Sequence, residues 1–315
     1  MLHFKIGQAA VFGLTFPSPC VTFAPAISNS RKTGFVPMAL RRFVQCDVFT
    51  STPTLGNGLA VVVEAEGLSD QQMQDFAAWT NLAETTFLLP PTHPQADYRV
   101  RIFTPKREML FAGHPTLGSC ASWLHCGGKP KMPGRVVQEC AIGLVDIDQT
   151  GSTPAFVAPP TKIAPLPEEE RIRIVSALGI DPSSIESVAQ LDNGPVWKAF
   201  ELESAEAVLA LDASRLRYPE FLAVGLIGRH GPDADADFEV RNIAPSSGMS
   251  EDPITGSLNA ALACWLKSRG ALPSQYVAAQ GTNINRQGRV HVRHQNGRIL
   301  VGGESHILID GRLEL

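Results

Sequence analysis

The sequence predicts an α+β fold of two pseudo-symmetric lobes, each a curved mixed sheet or barrel wrapped on a central apolar helix. The 315 residues are enough for two domains of ordinary size. A segment that begins at Arg101 recurs 140 residues later at Arg241, and each copy reads as an extended segment, a loop and the start of an apolar helix. A period this long does not fit a solenoid but fits two facing half-domains.

The composition is typical of a globular enzyme. Apolar residues make up 44% and charged residues 18%, and the net charge of −4 gives no argument for binding nucleic acid or an anionic membrane. No apolar run is long enough to predict a transmembrane helix. The six cysteines show no metal-ligand spacing, so we expect no metal site. We interpret them as reduced, mostly buried residues, which favours a reducing, cytoplasmic compartment.

The start of the chain differs in composition from the rest. Residues 1–38 hold no Asp or Glu and are rich in Ser, Thr, Phe and Pro. This suits an extension upstream of a natural start at Met38, a transit peptide or a secretion signal, and each interpretation leaves the segment outside the fold. We expect residues 39–157 to form the N-terminal lobe, completed by strands at about residues 300–315. Residues 158–299 are expected to form the C-terminal lobe.

Local signals predict the elements of the first lobe in order. Ser69 fits an N-cap that Gln72 completes as a capping box, and the helix should end near Thr80. Strands are predicted before and after this helix. Residues 43–49 and 98–104 alternate with a period of two, residues 59–63 form a short apolar run, and residues 85–89 are strand-like.

Two further helices are apolar nearly all round and should be buried at the centres of the lobes. Pro115 is expected at a first helical position, and Gly127 follows the end of that helix. Pro253 is expected to open the second helix, which should end near Gly270. A surface helix at 168–178 and closing strands at 298–301 and 306–309 complete the prediction.

Glu84 is the first candidate for chemistry. Asn81 fits the left-handed position after the preceding helix, and Glu84 then stands where the next strand begins. The two residues also have capping-box spacing, although strand-like residues follow. A carboxylate held in an apolar cleft has a raised pKa and can exchange protons near neutral pH. At this point a catalytic and a structural Glu84 both stay open.

A second pair of similar segments places His114 and Asp252 in matching positions. The segments share the pattern x-Pro-x-x-Gly-Ser at an offset of 138. The match predicts that the two side chains face each other across a cleft, where they can position a substrate or support a glutamate that shuttles protons. A structural histidine, and an aspartate that caps the helix opened by Pro253, are the alternatives.

Backbone donors near the two helix starts predict an anion site. Helix N-termini bind anions, and glycine lets a ligand approach the main chain closely. Gly113, Gly256 and Ser257 can cradle a small carboxylate, and Asn57 is a further candidate for substrate binding. The glycines can instead serve helix packing alone, and Asn57 and Asn193 lie in segments typical of turns.

Together these motifs resemble the PhzF family, the phenazine-biosynthesis isomerase group within the diaminopimelate-epimerase-like fold. The likeness extends from residue 42 to about residue 315, and it is specific because the motifs occur together and in order. Ala83 and Gly58 depart from the serine and proline that the family often has, which bears on the substrate more than on the reaction. The matching stretches are residues 47–61, 81–87, 101–118, 193–195 and 251–257.

The resemblance implies a cofactor-free site between two lobes, usually in a homodimer. It implies that Glu84 is the acid/base residue and that His114 and Asp252 match the family's histidine and aspartate. The amide of Gly113 and the hydroxyl of Ser257 match family contacts to the substrate. In the best-known members the reaction moves a hydrogen within dihydro-3-hydroxyanthranilate.

Three functions therefore stay open. The first is a cofactor-independent isomerase in which Glu84 moves a proton within a small cyclic or amino-acid-derived carboxylate. The second is a cofactor-independent racemase or epimerase of an amino acid, which needs two proton carriers on opposite faces of one carbon. For that role the helix starts offer His114 and Asp252 rather than a pair of cysteines. The third is a non-catalytic protein that binds a small carboxylate.

Overall fold

The computed structural model of the protein describes residues 39–247 and 250–315. Within these ranges five α-helices accompany eighteen β-strands that form one mixed sheet, which confirms the predicted α+β class. No helix in the same ranges is long and apolar enough to cross a membrane. The predicted leader, residues 1–38, lies outside them.

The first half of the chain alternates strands with two α-helices. Its elements are β1 (Leu40–Val48), β2 (Asn57–Val62), α1 (Asp70–Thr80), β3 (Glu84–Leu89), β4 (Tyr98–Phe103), β5 (Glu108–Met109), α2 (Gly113–His125), β6 (Arg135–Cys140), β7 (Gly143–Asp148), β8 (Ala155–Val157) and β9 (Lys162–Ala164).

The second half repeats this order after an additional surface helix. Its elements are α3 (Glu168–Leu178), β10 (Ile185–Asp192), β11 (Val196–Leu202), α4 (Ala205–Leu209), β12 (Val224–Arg229), β13 (Phe238–Ile243), β14 (Glu251–Asp252), α5 (Gly256–Ser268), β15 (Gln275–Gln280), β16 (Gly288–Gln295), β17 (Arg298–Gly302) and β18 (Ser305–Glu314).

Strand pairing also repeats between the halves. The pairs β2–β3 and β4–β6 are parallel, and so are β11–β12 and β13–β15. Strand β8 pairs with β17 and joins the two halves. Strand β18 returns to pair with β1, whereas β9 pairs with β10. Each half is thus extended by the last strand of the other, while the lobe boundary after residue 157 stays a prediction.

The end of α1 sets the position of Glu84. The capping box of Ser69 and Gln72 is present as predicted, and it satisfies amides that the helix itself leaves unpaired. Asn81 ends the helix in the left-handed region at φ 53° and ψ 26°. The chain then reverses, and Glu84 becomes the first residue of β3.

Helices α2 and α5 are buried at the centre of the fold, as predicted, but neither begins at a proline. Helix α2 starts at Gly113, so Pro115 is its third residue. A proline is tolerated there because the first amides of a helix have no partner within it. Helix α5 starts at Gly256, three residues after Pro253.

The helix starts also correct the repeat. Gly113 matches Gly256 at an offset of 143, so His114 corresponds to Ser257 and not to Asp252. Asp252 corresponds instead to Met109, because each is the second residue of its short strand. The segment between β13 and β14, residues 244–250, is three residues longer than its counterpart, residues 104–107. The likeness at an offset of 138 is therefore out of structural register.

Candidate active site

Glu84 and His114 face each other inside the fold. Glu84 Oε2 lies 3.3 Å from His114 Nε2, and the two side chains are only 17% and 4% exposed. Both atoms are buried, and neither has an aligned hydrogen-bond partner. Buried polar atoms in proteins nearly always have a partner, so this pair marks a place where a bound molecule can complete the hydrogen bonding.

Burial changes the protonation of both groups. Burial first, and then the negative charge of Asp252, raise the pKa of Glu84 from 4.5 to about 8. Burial also lowers the pKa of His114 from 6.5 to about 3, so the imidazole is neutral at pH 7. Near neutral pH, Glu84 can therefore both hold and release a proton, and His114 acts as an uncharged hydrogen-bonding group.

Asn57, the first residue of β2, connects the two halves of the site. One hydrogen of its Nδ2 is donated to the carbonyl oxygen of Ile254 at 2.9 Å, and the other is shared between Asp252 Oδ1 at 3.2 Å and His114 Nδ1 at 3.3 Å. A carbonyl oxygen only accepts, so the amide nitrogen is the end of Asn57 that faces these atoms. His114 Nδ1 then accepts, which assigns the ring hydrogen to Nε2, beside Glu84.

Asp252 lies beside this group although it is not the repeat partner of His114. Its Oδ2 accepts from the hydroxyl of Thr255 and, at 3.5 Å, from Nδ2 of Asn242. Burial raises the pKa of Asp252 from 3.8 to about 6, and these hydrogen bonds act against the rise. Asp252 does not cap α5, because the N-cap position of that helix is Thr255.

The N-termini of α2 and α5 touch. A Cβ atom on Gly113 would lie 2.7 Å from the carbonyl carbon of Gly256 and 2.9 Å from the amide nitrogen of Ser257. Only glycine permits this approach. The N-cap residues Ala112 and Thr255 make no side-chain cap bond, so the first-turn amides of both helices lack a capping side chain. Two positive helix ends meet here, which favours an anion.

Two further residues support the site and were not among the predicted positions. Asn193 does lie in a turn, but its side chain is buried and donates to the carbonyl oxygen of Ser257 at 2.8 Å. Gln280 Oε1 accepts from the backbone N–H of Thr255 at 3.0 Å. Their partners are 64 and 25 positions away, so the local sequence carries no signal for either contact.

The structure thus brings together Glu84, His114, Asp252 and Asn57, and it places Gly113, Gly256 and Ser257 at the adjoining helix starts. Across residues 39–247 and 250–315, no three His, Cys, Asp or Glu side chains are arranged to hold a metal ion.

Comparison with known proteins identifies the family. Residues 46–311 match the family described as PhzC-PhzF, phenazine biosynthesis-like protein. The chain is 34% identical over 296 residues to the protein "Antisense-enhancing sequence 1" of Schizosaccharomyces pombe, covering 87% of this chain and 99% of that one. It is 31% identical over 292 residues to a trans-2,3-dihydro-3-hydroxyanthranilate isomerase of Pseudomonas aeruginosa, covering 88% and 100% of the two chains.

Solved structures show the same fold. A PhzF-family phenazine biosynthesis protein of Bacillus anthracis superposes with a TM-score of 0.73 at 19% identity, over 88% of this chain and all of that one. A hydroxyproline epimerase of Agrobacterium vitis shares the fold alone, with a TM-score of 0.57 at 13% identity over 87% and 91% of the chains. The family match covers most of the sequence, and relatives above 30% identity align over nearly their full length. The chain therefore belongs to the PhzC-PhzF, phenazine biosynthesis-like family.

Proposed function

We propose that this protein is a cofactor-independent isomerase that moves a proton within a small cyclic or amino-acid-derived carboxylate. The observation that carries the proposal is the buried, unpartnered pair of Glu84 Oε2 and His114 Nε2 beside two abutting helix N-termini. The isomerase names of several relatives support the reaction class. A substrate similar to dihydro-3-hydroxyanthranilate is the first candidate, because three relatives are named for that compound.

In this reaction the first-turn amides of α2 and α5, with the hydroxyl of Ser257, bind the carboxylate of the substrate. Ionised Glu84 removes a proton from a neighbouring carbon, and the C–H electrons move into the conjugated system of the substrate. Protonated Glu84 then returns the proton to a different carbon. One C–H bond breaks and another forms, so no oxidant or reductant is needed.

His114 and Asp252 influence the hydrogen bonding and the pKa of Glu84, and neither carries the transferred proton. The Nε2 hydrogen of the neutral His114 ring lies beside Glu84 Oε2 without being aligned to it, and it is available to a substrate oxygen. The charge of Asp252 helps to raise the pKa of Glu84 toward the working pH, where general acid–base catalysis is most efficient. Asn57 contacts both His114 Nδ1 and Asp252 Oδ1 and so holds these two side chains in place.

The arrangement favours one acid/base residue over the two that an epimerase needs. Strand register places Ala223 at the position in the second half that Glu84 holds in the first, and alanine carries no proton. Both carboxyl oxygens of Asp252 already accept hydrogen bonds. A single proton carrier suits transfer between two carbons of one substrate better than inversion at one carbon.

Deuterium exchange tests the proposal. The protein is incubated in heavy water with candidate carboxylates, and the ligand is examined by NMR and mass spectrometry. We expect the wild-type protein to incorporate deuterium at the exchanging carbon. Glu84→Gln should keep the fold and ligand affinity but lose turnover by at least about a hundredfold. The matched control Glu186→Gln changes an exposed glutamate and should keep full activity.

Two outcomes would contradict the proposal. A Glu84→Gln variant that retained most of its activity would remove Glu84 from its role. A wild-type protein that bound the carboxylates but never exchanged deuterium would instead be a binding protein.

We also propose that the protein acts as a homodimer in a reducing, cytoplasmic compartment. The resemblance to the family supports the dimer, and the free state of the five cysteines that the structure describes suits the compartment. Sedimentation velocity tests the first point, since a monomer at working concentration would contradict it. Localisation of a tagged full-length chain tests the second.

A further inference from the structure

We propose that Gln280 and Thr255 are positioning residues that hold Asp252 as a hydrogen-bond acceptor, so that the proton shared within the site stays on Glu84. The catalytic meaning of this inference rests on the proposed function, but its experiment does not measure turnover. Gln280 lies on β15 and is completely buried, and Thr255 immediately precedes α5.

Main-chain groups determine the orientation of the Gln280 amide. The backbone N–H of Thr255 donates to Gln280 Oε1 at 3.0 Å. Asn259 Nδ2 donates to the same oxygen at 2.9 Å and to the carbonyl oxygen of Thr255 at 3.0 Å. A backbone N–H can only donate and a carbonyl oxygen can only accept. The oxygen of Gln280 therefore faces α5, and its nitrogen is directed to the Thr255 side chain.

The direction of the Thr255 hydroxyl follows from this orientation. Gln280 Nε2 donates to Thr255 Oγ1 at 3.0 Å, and Asn242 Nδ2 donates to the same atom at 3.0 Å. The reverse orientation of Asn242 would bring its oxygen toward Asp252 Oδ2, 3.5 Å away. Two incoming N–H groups occupy both lone pairs of the hydroxyl. Its single hydrogen must then be donated, and Asp252 Oδ2 accepts it.

The second oxygen of Asp252 is held in the same way. Asn57 Nδ2, whose direction is set by the carbonyl oxygen of Ile254, donates to Asp252 Oδ1. A proton on Oδ2 would therefore oppose the donors that occupy both of its lone pairs, and a proton on Oδ1 would weaken the hydrogen bond that this oxygen accepts from Asn57. His114 Nε2 lies 3.3 Å from Glu84 Oε2 but is not aligned to donate to it, so a proton on Glu84 opposes no hydrogen bond that the structure makes. Hydrogen bonds to a charged acceptor are the stronger ones, which favours the charged form of Asp252.

The other charged groups around Asp252 do not stabilise its charged form as these hydrogen bonds do. Glu251 on the same strand raises the pKa of Asp252, and its own charge is paired with Arg241 at 3.1 and 2.7 Å. Glu84 on β3 carries the same sign of charge when ionised, and His114 on α2 is neutral at pH 7. Of the groups that lower the pKa of Asp252 against burial, the Thr255 hydroxyl has the largest effect.

Carbon-13 NMR titration of the Asp252 carboxyl tests the inference. The titration is done in the full chain carrying Glu84→Gln, which removes the coupled carboxyl, and Asp252→Asn assigns the resonance. Thr255→Val removes the hydroxyl at nearly constant volume, and we expect the pKa of Asp252 to rise by about one pH unit or more. Thr255→Ser keeps the hydroxyl and should restore the original pKa. Thr153→Val, at a buried threonine that makes no bond to Asp252, should leave the pKa unchanged.

Gln280→Met tests the other residue. This change removes the N–H group that Thr255 accepts, and a hydroxyl that accepts fewer hydrogen bonds is a weaker donor. We expect the pKa of Asp252 to rise, but by less than in Thr255→Val. No change would overturn the role of Gln280.

The two Thr255 variants decide the main point. Equal pKa values of Asp252 in Thr255→Val and Thr255→Ser would overturn the proposal, provided that circular dichroism shows both proteins folded. If the valine variant does not fold, Thr255→Ala gives the same comparison with serine. Absence of deuterium exchange in the wild-type protein would overturn the proposed function and leave this titration result standing.

Discussion

Glu84 should lower the stability of the folded protein at alkaline pH, and Glu84→Gln should relieve this loss. The folded state holds the proton of Glu84 up to a pKa of about 8, compared with 4.5 for the ordinary carboxyl. Between these two values the unfolded chain binds fewer protons than the folded one, so the free energy of unfolding falls as pH rises. The pKa is raised, so no loss is expected below about pH 4.5, and the full loss is expected above about pH 8.

The size of this stability loss follows from the two pKa values of Glu84, in the folded protein and as an ordinary carboxyl. The difference between 4.5 and about 8, at about 1.4 kcal/mol per pH unit, corresponds to an upper bound of about 5 kcal/mol. The proton is also coupled to Asp252, which reduces the share that belongs to Glu84 alone. We therefore expect Glu84→Gln to be more stable than the wild-type protein by about 2 to 5 kcal/mol at pH 9, and similar to it at pH 4.5.

Urea unfolding at pH 4.5, 7 and 9, followed by circular dichroism, measures this difference. Glu186→Gln is the control, because a change on an exposed strand position should stay within about 0.5 kcal/mol at every pH. If the difference in the free energy of unfolding between Glu84→Gln and wild type did not grow with pH, burial of Glu84 would not be the cause of the stability loss. A variant less stable than wild type at pH 9 would contradict this cause too, since the carboxylate would then be well solvated or paired.

Three further predictions concern the site. Asp252→Asn removes a charge that raises the pKa of Glu84. The rising limb of the plot of kcat/KM against pH should therefore move from about pH 8 toward 4.5. An unmoved limb would contradict the effect of Asp252 on the pKa of Glu84. Gly113→Ala places a Cβ atom against the backbone of α5, so it should lower the free energy of unfolding in urea by about 1 to 3 kcal/mol and reduce activity. The control Gly311→Ala adds a Cβ atom where no other atom lies nearby, and it should change neither quantity. Alkylation of the accessible thiols should leave deuterium exchange intact, and its loss would revive a cysteine mechanism.

Local signals were sufficient to place Glu84. The capping box at Ser69 and the left-handed Asn81 depend only on residues within a few positions, and both appear in the structure as predicted. The burial of α2 and α5 followed from their apolar composition, which shows on all sides of each helix. The roles expected of His114 and Asp252 came from the match at an offset of 138 and agreed with the family resemblance; that match is out of structural register, yet the structure places both residues around Asn57.

By itself, the sequence determined the α+β class, the duplication, the two buried helices and the strand that carries Glu84. Only the tertiary structure decided that His114 corresponds to Ser257, because three extra residues before β14 shift the second half against the first. It also decided the hydrogen bonds that join Gln280 to Thr255 and Asn57 to Asp252. Those bonds link residues far apart in the chain, and they form only when the packing of separate elements brings the donors and acceptors within about 3 Å of each other.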